Sequence, residues 1–252
     1  MMKKVCIIGI GLIGGSLAKA IKKTHQSEIV FGFGRNRSRL EKAQKNNVID
    51  QYSTDIGEAL DGANMVIIAT PVGSYESILK EMKPHIATNM VISDVGSTKV
   101  SVIEAIKAVF DGTLDNFIPA HPIAGKEKSG FEVSDDDLFV NKKVIITPLE
   151  NNNSESIKIL TKMWERVGAE VDFMTPKSHD DLLGMTSHLP HMLAFSLVNY
   201  LISQHPEASV YAAGGFKDFS RIASGDAIMW RDICLHNRDS IIAHIKGYQE
   251  SL

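Results

Sequence analysis

Three glycines stand in the arrangement Gly9-Ile10-Gly11-Leu12-Ile13-Gly14 near the start of the chain. In a turn that receives a pyrophosphate, each glycine has its own task. Gly9 permits the tight turn, Gly11 lets the backbone approach the phosphates, and Gly14 lets a following helix pack closely on the preceding strand. The phosphates then meet unpaired N–H groups at the helix N-terminus. An apolar run precedes the motif and a helical pattern follows it, which is the context it requires. A dinucleotide site containing Gly9, Gly11, Leu12, Ile13 and Gly14 is expected. An acid that would bind the adenosine ribose should follow about 20 residues on, at the end of the second strand. The sequence there reads Gly32-Phe33-Gly34-Arg35-Asn36-Arg37, without an acid. Arg35 and Arg37 have two readings, a solvated helix start or a pocket for a 2′-phosphate. The second favours NADP over NAD.

A second set of residues has acid–base character. Ser97 lies in Ser93-Asp94-Val95-Gly96-Ser97-Thr98-Lys99, and His121 in Pro119-Ala120-His121-Pro122-Ile123-Ala124-Gly125. Each segment follows an apolar run that reads as a strand, so both fall on the rim where ligands bind in parallel sheets. Histidine accepts protons near neutral pH, and a serine hydroxyl can fix its ring. Further along, His188 and His191 are three residues apart in Thr186-Ser187-His188-Leu189-Pro190-His191. That spacing admits a metal, but no acid is placed to complete a ligand set, and no metal site is expected. The run Asp135 to Asp137 reads as a solvated loop. Arg221 sits in an apolar helical stretch. It reads either as a structural ion pair with Asp218 or Asp226, or as a bidentate clamp for a substrate carboxylate.

These side chains need a scaffold. Apolar runs at Lys4–Ile8, Ile29–Phe33, Met65–Ala69, Met90–Ser93, Phe117–Ala120, Lys143–Thr147 and Glu170–Phe173 alternate with helical patterns. Continuous apolar strands separated by helices predict an α/β domain with a Rossmann-type parallel sheet covered on both faces. After Lys177 the strand signal disappears. Asp180 to Ser203 reads as helix with a kink at Pro190, Gly214 to Gly225 as a shorter segment, and Met229 to Tyr248 as one long helix. A small all-helical domain should therefore follow the first, with the division at 152/153 and a second candidate at 175. Met185 to Leu201 is apolar on more than one side, which points to a homodimer.

The chain has 252 residues, with 27 basic and 30 acidic side chains and a net charge of −3. Such a balance offers no footprint for nucleic acid or an anionic membrane. No apolar run reaches the roughly 20 residues of a membrane span. The two cysteines, Cys6 and Cys234, fit a reduced cytoplasmic protein.

Taken together, the segments GIGLIGGSLA, ATPV at Ala69, DVGSTK at Asp94, HPIAGKEKSG at His121, TSHLPH at Thr186 and FKDFSRIASGDAIMWRDI at Phe216 resemble the prephenate/arogenate dehydrogenase family of tyrosine biosynthesis. The resemblance spans essentially the whole chain. It implies a Rossmann domain, a helical dimerisation domain, and NAD(P)-dependent oxidative decarboxylation of a small cyclohexadienyl substrate. His121 would bond the ring hydroxyl, with Ser97 orienting it beside the nicotinamide. His188 and Arg221 would bind substrate, with Glu127, Asp218 and Trp230 lining the pocket. Thr70 and Pro71 of the ATPV segment join the cofactor residues. The family commonly has Ser-Asp-Pro where this chain has Gly225-Asp226-Ala227, which should loosen that helix start. No appended mutase or regulatory segment is expected, so tyrosine inhibition would act at the active site. A β-hydroxyacid dehydrogenase or imine reductase is the competing enzyme class, but the HPIAG segment argues against both. A non-catalytic NADP-binding sensor would leave His121, Ser97 and Arg221 unexplained.

Overall fold

The apolar run behind the glycine motif lies in the middle of a parallel sheet. In the computed structural model, which describes residues 1–211 and 213–252, the first elements alternate strictly. They are β1 (Met2–Ile8), α1 (Leu12–Lys23), β2 (Ser27–Phe33), α2 (Arg37–Lys45), β3 (Gln51–Ser53), α3 (Ile56–Leu60) and β4 (Met65–Ile68). Next come α4 (Tyr75–Met82), β5 (Val91–Asp94), α5 (Val100–Phe110) and β6 (Phe117–Ile118). The six strands pair in parallel in the order β3-β2-β1-β4-β5-β6. The order reverses at β1, so the crevice at its C-terminal end is the place where such sheets bind ligands.

Successive side chains point to opposite faces of a strand, and both faces are buried. Val5, Ile7, Val30, Met65 and Ile67 pack with Leu17, Ile21, Leu160 and Trp164. Cys6, Ile8, Phe31, Val66 and Ile68 pack with Leu79, Met82 and Ile106 on the other face. Each such side chain contributes about 1.5–3 kcal/mol through burial.

Two expectations change here. The short strand β3 was not foreseen, since Gln51-Tyr52-Ser53 has too little apolar character to show itself. The predicted strand Phe117–Ala120 also breaks in two. Pro119 has no N–H with which to continue the ladder, and the chain leaves the first sheet there. It enters a second sheet as β7 (Ala120–Pro122), antiparallel to β8 (Lys143–Ile146). The helix α6 (Ser154–Arg166) follows, and then β9 (Glu170–Phe173), which pairs in parallel with β8.

The chain divides into two compact units, Met1–His179 and Asp180–Leu252, so α6 and β9 fall in the first. Helix α7 (Pro176–Leu183) runs through the division. Among its described residues the second unit contains helices and no strand. A π-type turn, Gly184–His188, leads into α8 (Leu189–Gln204), and a 3₁₀ segment, Pro206–Tyr211, precedes α9 (Gly214–Ile222), α10 (Ala227–His236) and α11 (Arg238–Glu250). The irregularity expected at Pro190 lies in the preceding turn. Proline lacks an N–H and crowds the carbonyl four residues back, at Thr186, and a wider turn accommodates both. The single helix expected over Met229–Tyr248 breaks at Asn237. That side chain is buried and donates to the Asp180 carbonyl at 2.7 Å.

Candidate active site

The glycine turn follows β1 directly. Gly9 has φ +97°, and a Cβ there would lie 2.7 Å from Thr70 Cγ2 and 2.9 Å from the Ala69 carbonyl oxygen. A Cβ on Gly14 would come within 2.1 Å of the Gly9 carbonyl oxygen. These two positions exclude any side chain. Gly11 differs, because a Cβ there would meet nothing within 4 Å. It is also the N-cap of α1, and no side chain caps the helix there. Unfilled space against uncapped N–H groups is what a pyrophosphate needs, and Leu12 and Ile13 supply the first helical N–H groups. Thr70 and Pro71 stand across the crevice after β4, where the Thr70 hydroxyl accepts from Ser74 Oγ at 2.9 Å.

At the end of β2, Gly34 has room for a side chain, since only Leu40 Cδ2 lies near, at 3.7 Å from a Cβ. Arg35 is exposed. Arg37 is also exposed and pairs with Glu41 at 3.3 Å, one turn along α2. Asn36 caps that helix by accepting from Arg39 N at 3.0 Å.

The acid–base segments are joined by a buried ion pair. Asp94 and Lys99 are both fully buried. Lys99 Nζ donates to Asp94 Oδ2 and, at 2.7 Å, to the Ala120 carbonyl. Asp94 also accepts from Gly96 N at 2.8 Å, Tyr75 Oη at 3.2 Å and Ala120 N at 3.1 Å. One carboxylate thus fastens the loop that carries Ser97 and the residue immediately before His121. Burial, and then the Asp94 charge, push the Tyr75 hydroxyl well above the usual phenol range, so it stays a donor. Gly96 is required in this cluster, because a Cβ there would lie 2.7 Å from Val72 and 2.9 Å from Asp94 Oδ2.

His121 is half-buried on β7, opposite Ile145 of β8. Its Nδ1 lies 2.9 Å from Nε2 of His179, which is fully buried. The rings meet edge to face, with centroids 5.1 Å apart. Sequence reasoning passed over His179, Asp94 and Lys99. No motif singles out His179. The other two stood inside the DVGSTK segment, where a charged pair beside an apolar strand was the available signal. Glu127 is exposed, and the three aspartates after Ser134 are held by lysines. Asp135 pairs with Lys126 at 2.9 Å, while Asp136 and Asp137 pair with Lys23 at 3.3 and 2.8 Å.

In the second unit Trp230 is the packing centre. His191 stacks on it, with centroids 3.7 Å apart, and Phe195 and His188 meet it edge to face. His188 is buried, with Nδ1 3.0 Å from Asn237 Nδ2. His191 keeps part of its ring accessible, and burial lowers its basicity below the usual histidine range. Arg221 and Asp218 are both exposed on α9. Nor is the start of α10 loosened. Asp226 caps it by accepting from Met229 N at 2.9 Å. Gly225 makes room for Trp230, whose Nε1 would lie 2.5 Å from a Cβ.

Comparison with known proteins gives a consistent result. Residues 17–173 match the family model "Prephenate dehydrogenase, nucleotide-binding domain", and residues 175–252 match "Prephenate dehydrogenase, dimerization domain". The chain is 36% identical over 246 residues to the prephenate dehydrogenase of Bacillus subtilis, covering 96% of this chain and 66% of that one. It is 30% identical over 246 residues to the cyclohexadienyl dehydrogenase of Zymomonas mobilis, covering 96% and 83%. A crystal structure of prephenate dehydrogenase from A. aeolicus in complex with hydroxyphenyl propionate and NAD+ superposes with a TM-score of 0.93. Sequence identity is 37%, with 100% of this chain and 88% of that one covered.

Proposed function

The chain belongs to the prephenate dehydrogenase family, and from that premise we propose that it is an NAD(P)-dependent dehydrogenase of tyrosine biosynthesis. It would oxidatively decarboxylate prephenate, arogenate or both, giving 4-hydroxyphenylpyruvate or tyrosine. The observation that carries this reading is a half-buried His121 clamped through Ala120 in the same unit as an open dinucleotide turn.

The substrate class is a cyclohexadienyl ring with a hydroxyl on C4 and a carboxylate on C1. A bound nicotinamide supplies the hydride acceptor for C4. His121 takes the hydroxyl proton as C4 gives up hydride, carbon dioxide leaves C1 with its bonding electrons passing into the ring, and return of the proton from His121 to the ring oxygen completes the phenol. Aromatisation drives the reaction, so the side chains mainly position the substrate and shuttle one proton. Ser97 steadies the base from the loop fastened by Asp94. Arg221 holds a carboxylate as a charge-assisted fork, and Glu127, Asp218 and Trp230 are the further candidates for substrate contact. Of the two histidines in the SHLPH segment, the accessible His191 suits substrate contact better than His188. We place the domain boundary between the nucleotide and helical parts after residue 175, and the helical part as the seat of a homodimer.

The finer choice of cofactor is NADP. It is supported by the missing acid at Gly34 and the exposed Arg35, while Arg37 is partly neutralised by Glu41. The NAD+ in the A. aeolicus complex sets the opposing expectation. Steady-state kinetics with both substrates against both cofactors tests the whole proposal. Reduction of nicotinamide with neither substrate would overturn the function. A higher specificity constant for NAD would overturn only the cofactor choice.

A further inference from the structure

We propose that His179 is a positioning residue for His121, resting on the reading of His121 as the proton acceptor. It would hold that ring in the one tautomer able to receive a substrate proton. A neutral imidazole accepts a proton only on the nitrogen that lacks one. Nδ1 of His121 faces Nε2 of His179 at 2.9 Å, so the substrate proton is assigned to the other ring nitrogen, Nε2. Nδ1 must then carry the hydrogen and donate it to a lone pair. His179 Nε2 provides that lone pair when its own hydrogen is on Nδ1.

The placement is rigid on both sides. The His121 backbone is set by its pairing with Ile145 and by the ties from Ala120 to Asp94 and Lys99. The His179 backbone N–H donates to the Thr175 carbonyl at 2.9 Å in the first turn of α7. His179 is fully buried, so bulk water does not compete for the contact with His121. In water a neutral histidine side chain prefers the hydrogen on Nε2, so the pairing reverses an intrinsic preference and its loss should be visible.

Two measurements test this. In ¹⁵N–¹H correlation spectra, with His121 identified by its absence in His121→Asn, the resting parent should show the Nδ1–H tautomer. His179→Leu should return the ring to Nε2–H or to a mixture. Its kcat should fall about a hundredfold or more, with KM within a few-fold. His179→Gln places a carbonyl oxygen near the former Nε2, so it should keep the tautomer and recover most of kcat. A parent in the Nε2–H form overturns the proposal, whether or not the leucine variant folds. So does a leucine variant that keeps the tautomer and the rate. The spectra need no substrate. A parent inactive on both substrates would thus overturn the functional reading while the tautomer still judges the pairing.

Discussion

At the scale of single residues, the site rests on what each side chain can do at its position. His121 sits at the end of a strand and lies partly open, where a base can meet a ligand. His121→Asn removes proton transfer, which typically contributes about a hundredfold to ten-thousandfold, and leaves most contacts in place. The expected outcome is a kcat lower by that range with KM nearly unchanged; turnover within a few-fold of the parent would remove His121 from the role. The glycines separate into two kinds. Gly9 and Gly14 are required by the fold itself, since backbone and side-chain atoms occupy the space beside them. Gly11 and Gly34 border open space, where only a ligand would object to a side chain. Gly34→Asp should therefore fold normally. It should turn the cofactor preference toward NAD, because a carboxylate there accepts from ribose hydroxyls and repels a 2′-phosphate. Unchanged specificity constants would show that the end of β2 does not set the choice.

At the scale of elements, the Asp94–Lys99 pair determines how β5, the Ser97 loop and β7 meet. Removing one partner leaves the other charge buried and uncompensated, which costs about 3–5 kcal/mol. Lys99→Met is expected to lower the unfolding free energy by that amount in a denaturant titration. The double variant Asp94→Asn/Lys99→Met should recover part of it. A loss under about 1 kcal/mol for the single variant would mean that the pair does not hold these elements together. Most of the elements were legible in the sequence, because strands buried on both faces are written as unbroken apolar runs and the helices between them as periodic ones. What was hidden depended on partners distant in the chain. β3 is a three-residue edge strand made by its neighbour β2 rather than by its own composition. The split at Pro119 needed a second sheet, formed by residues 143–146 and 170–173, before it had a reason. The site was half legible for the same cause. Motifs marked Ser97 and His121, whereas His179, 58 positions from His121, carries no local pattern. The break at Asn237 was equally silent, since its partner is a carbonyl at Asp180.

At the scale of the whole molecule, the second unit presents apolar side chains to its surroundings. Tyr200 is 61% exposed, Ile228 59% and Leu235 65%. Together with the match to a dimerization domain, these support association of two copies. Sedimentation at micromolar concentration should give a dimer, and a monomer would contradict it. Among the described residues no helix is long and apolar enough to cross a membrane. The global stability should fall in alkali. Burial raises the Cys6 thiol from 9.0 to about 12, so between those values the unfolded chain releases a proton that the folded chain retains. Stability is complete below pH 9 and declines as the pH rises toward 12. The full interval is worth about 4 kcal/mol at about 1.4 kcal/mol per pH unit. Cys6→Ala should flatten this part of the profile, as read from Tm against pH; an equally steep decline in the variant would assign the loss to other groups.

The enclosure of Lys99 gives the molecule an internal clock. An amine buried completely and engaged with a carboxylate cannot meet an acylating reagent while the loop is closed. Exposed lysines such as Lys142 react at once. Modification of Lys99 therefore proceeds only through transient opening, at a rate set by the fraction of time the loop is undone. Its labelling kinetics, followed by mass spectrometry, would report how often the loop bearing Ser97 comes apart in an otherwise native protein. Slower labelling when the cofactor is bound would measure how strongly the nucleotide ties that loop down.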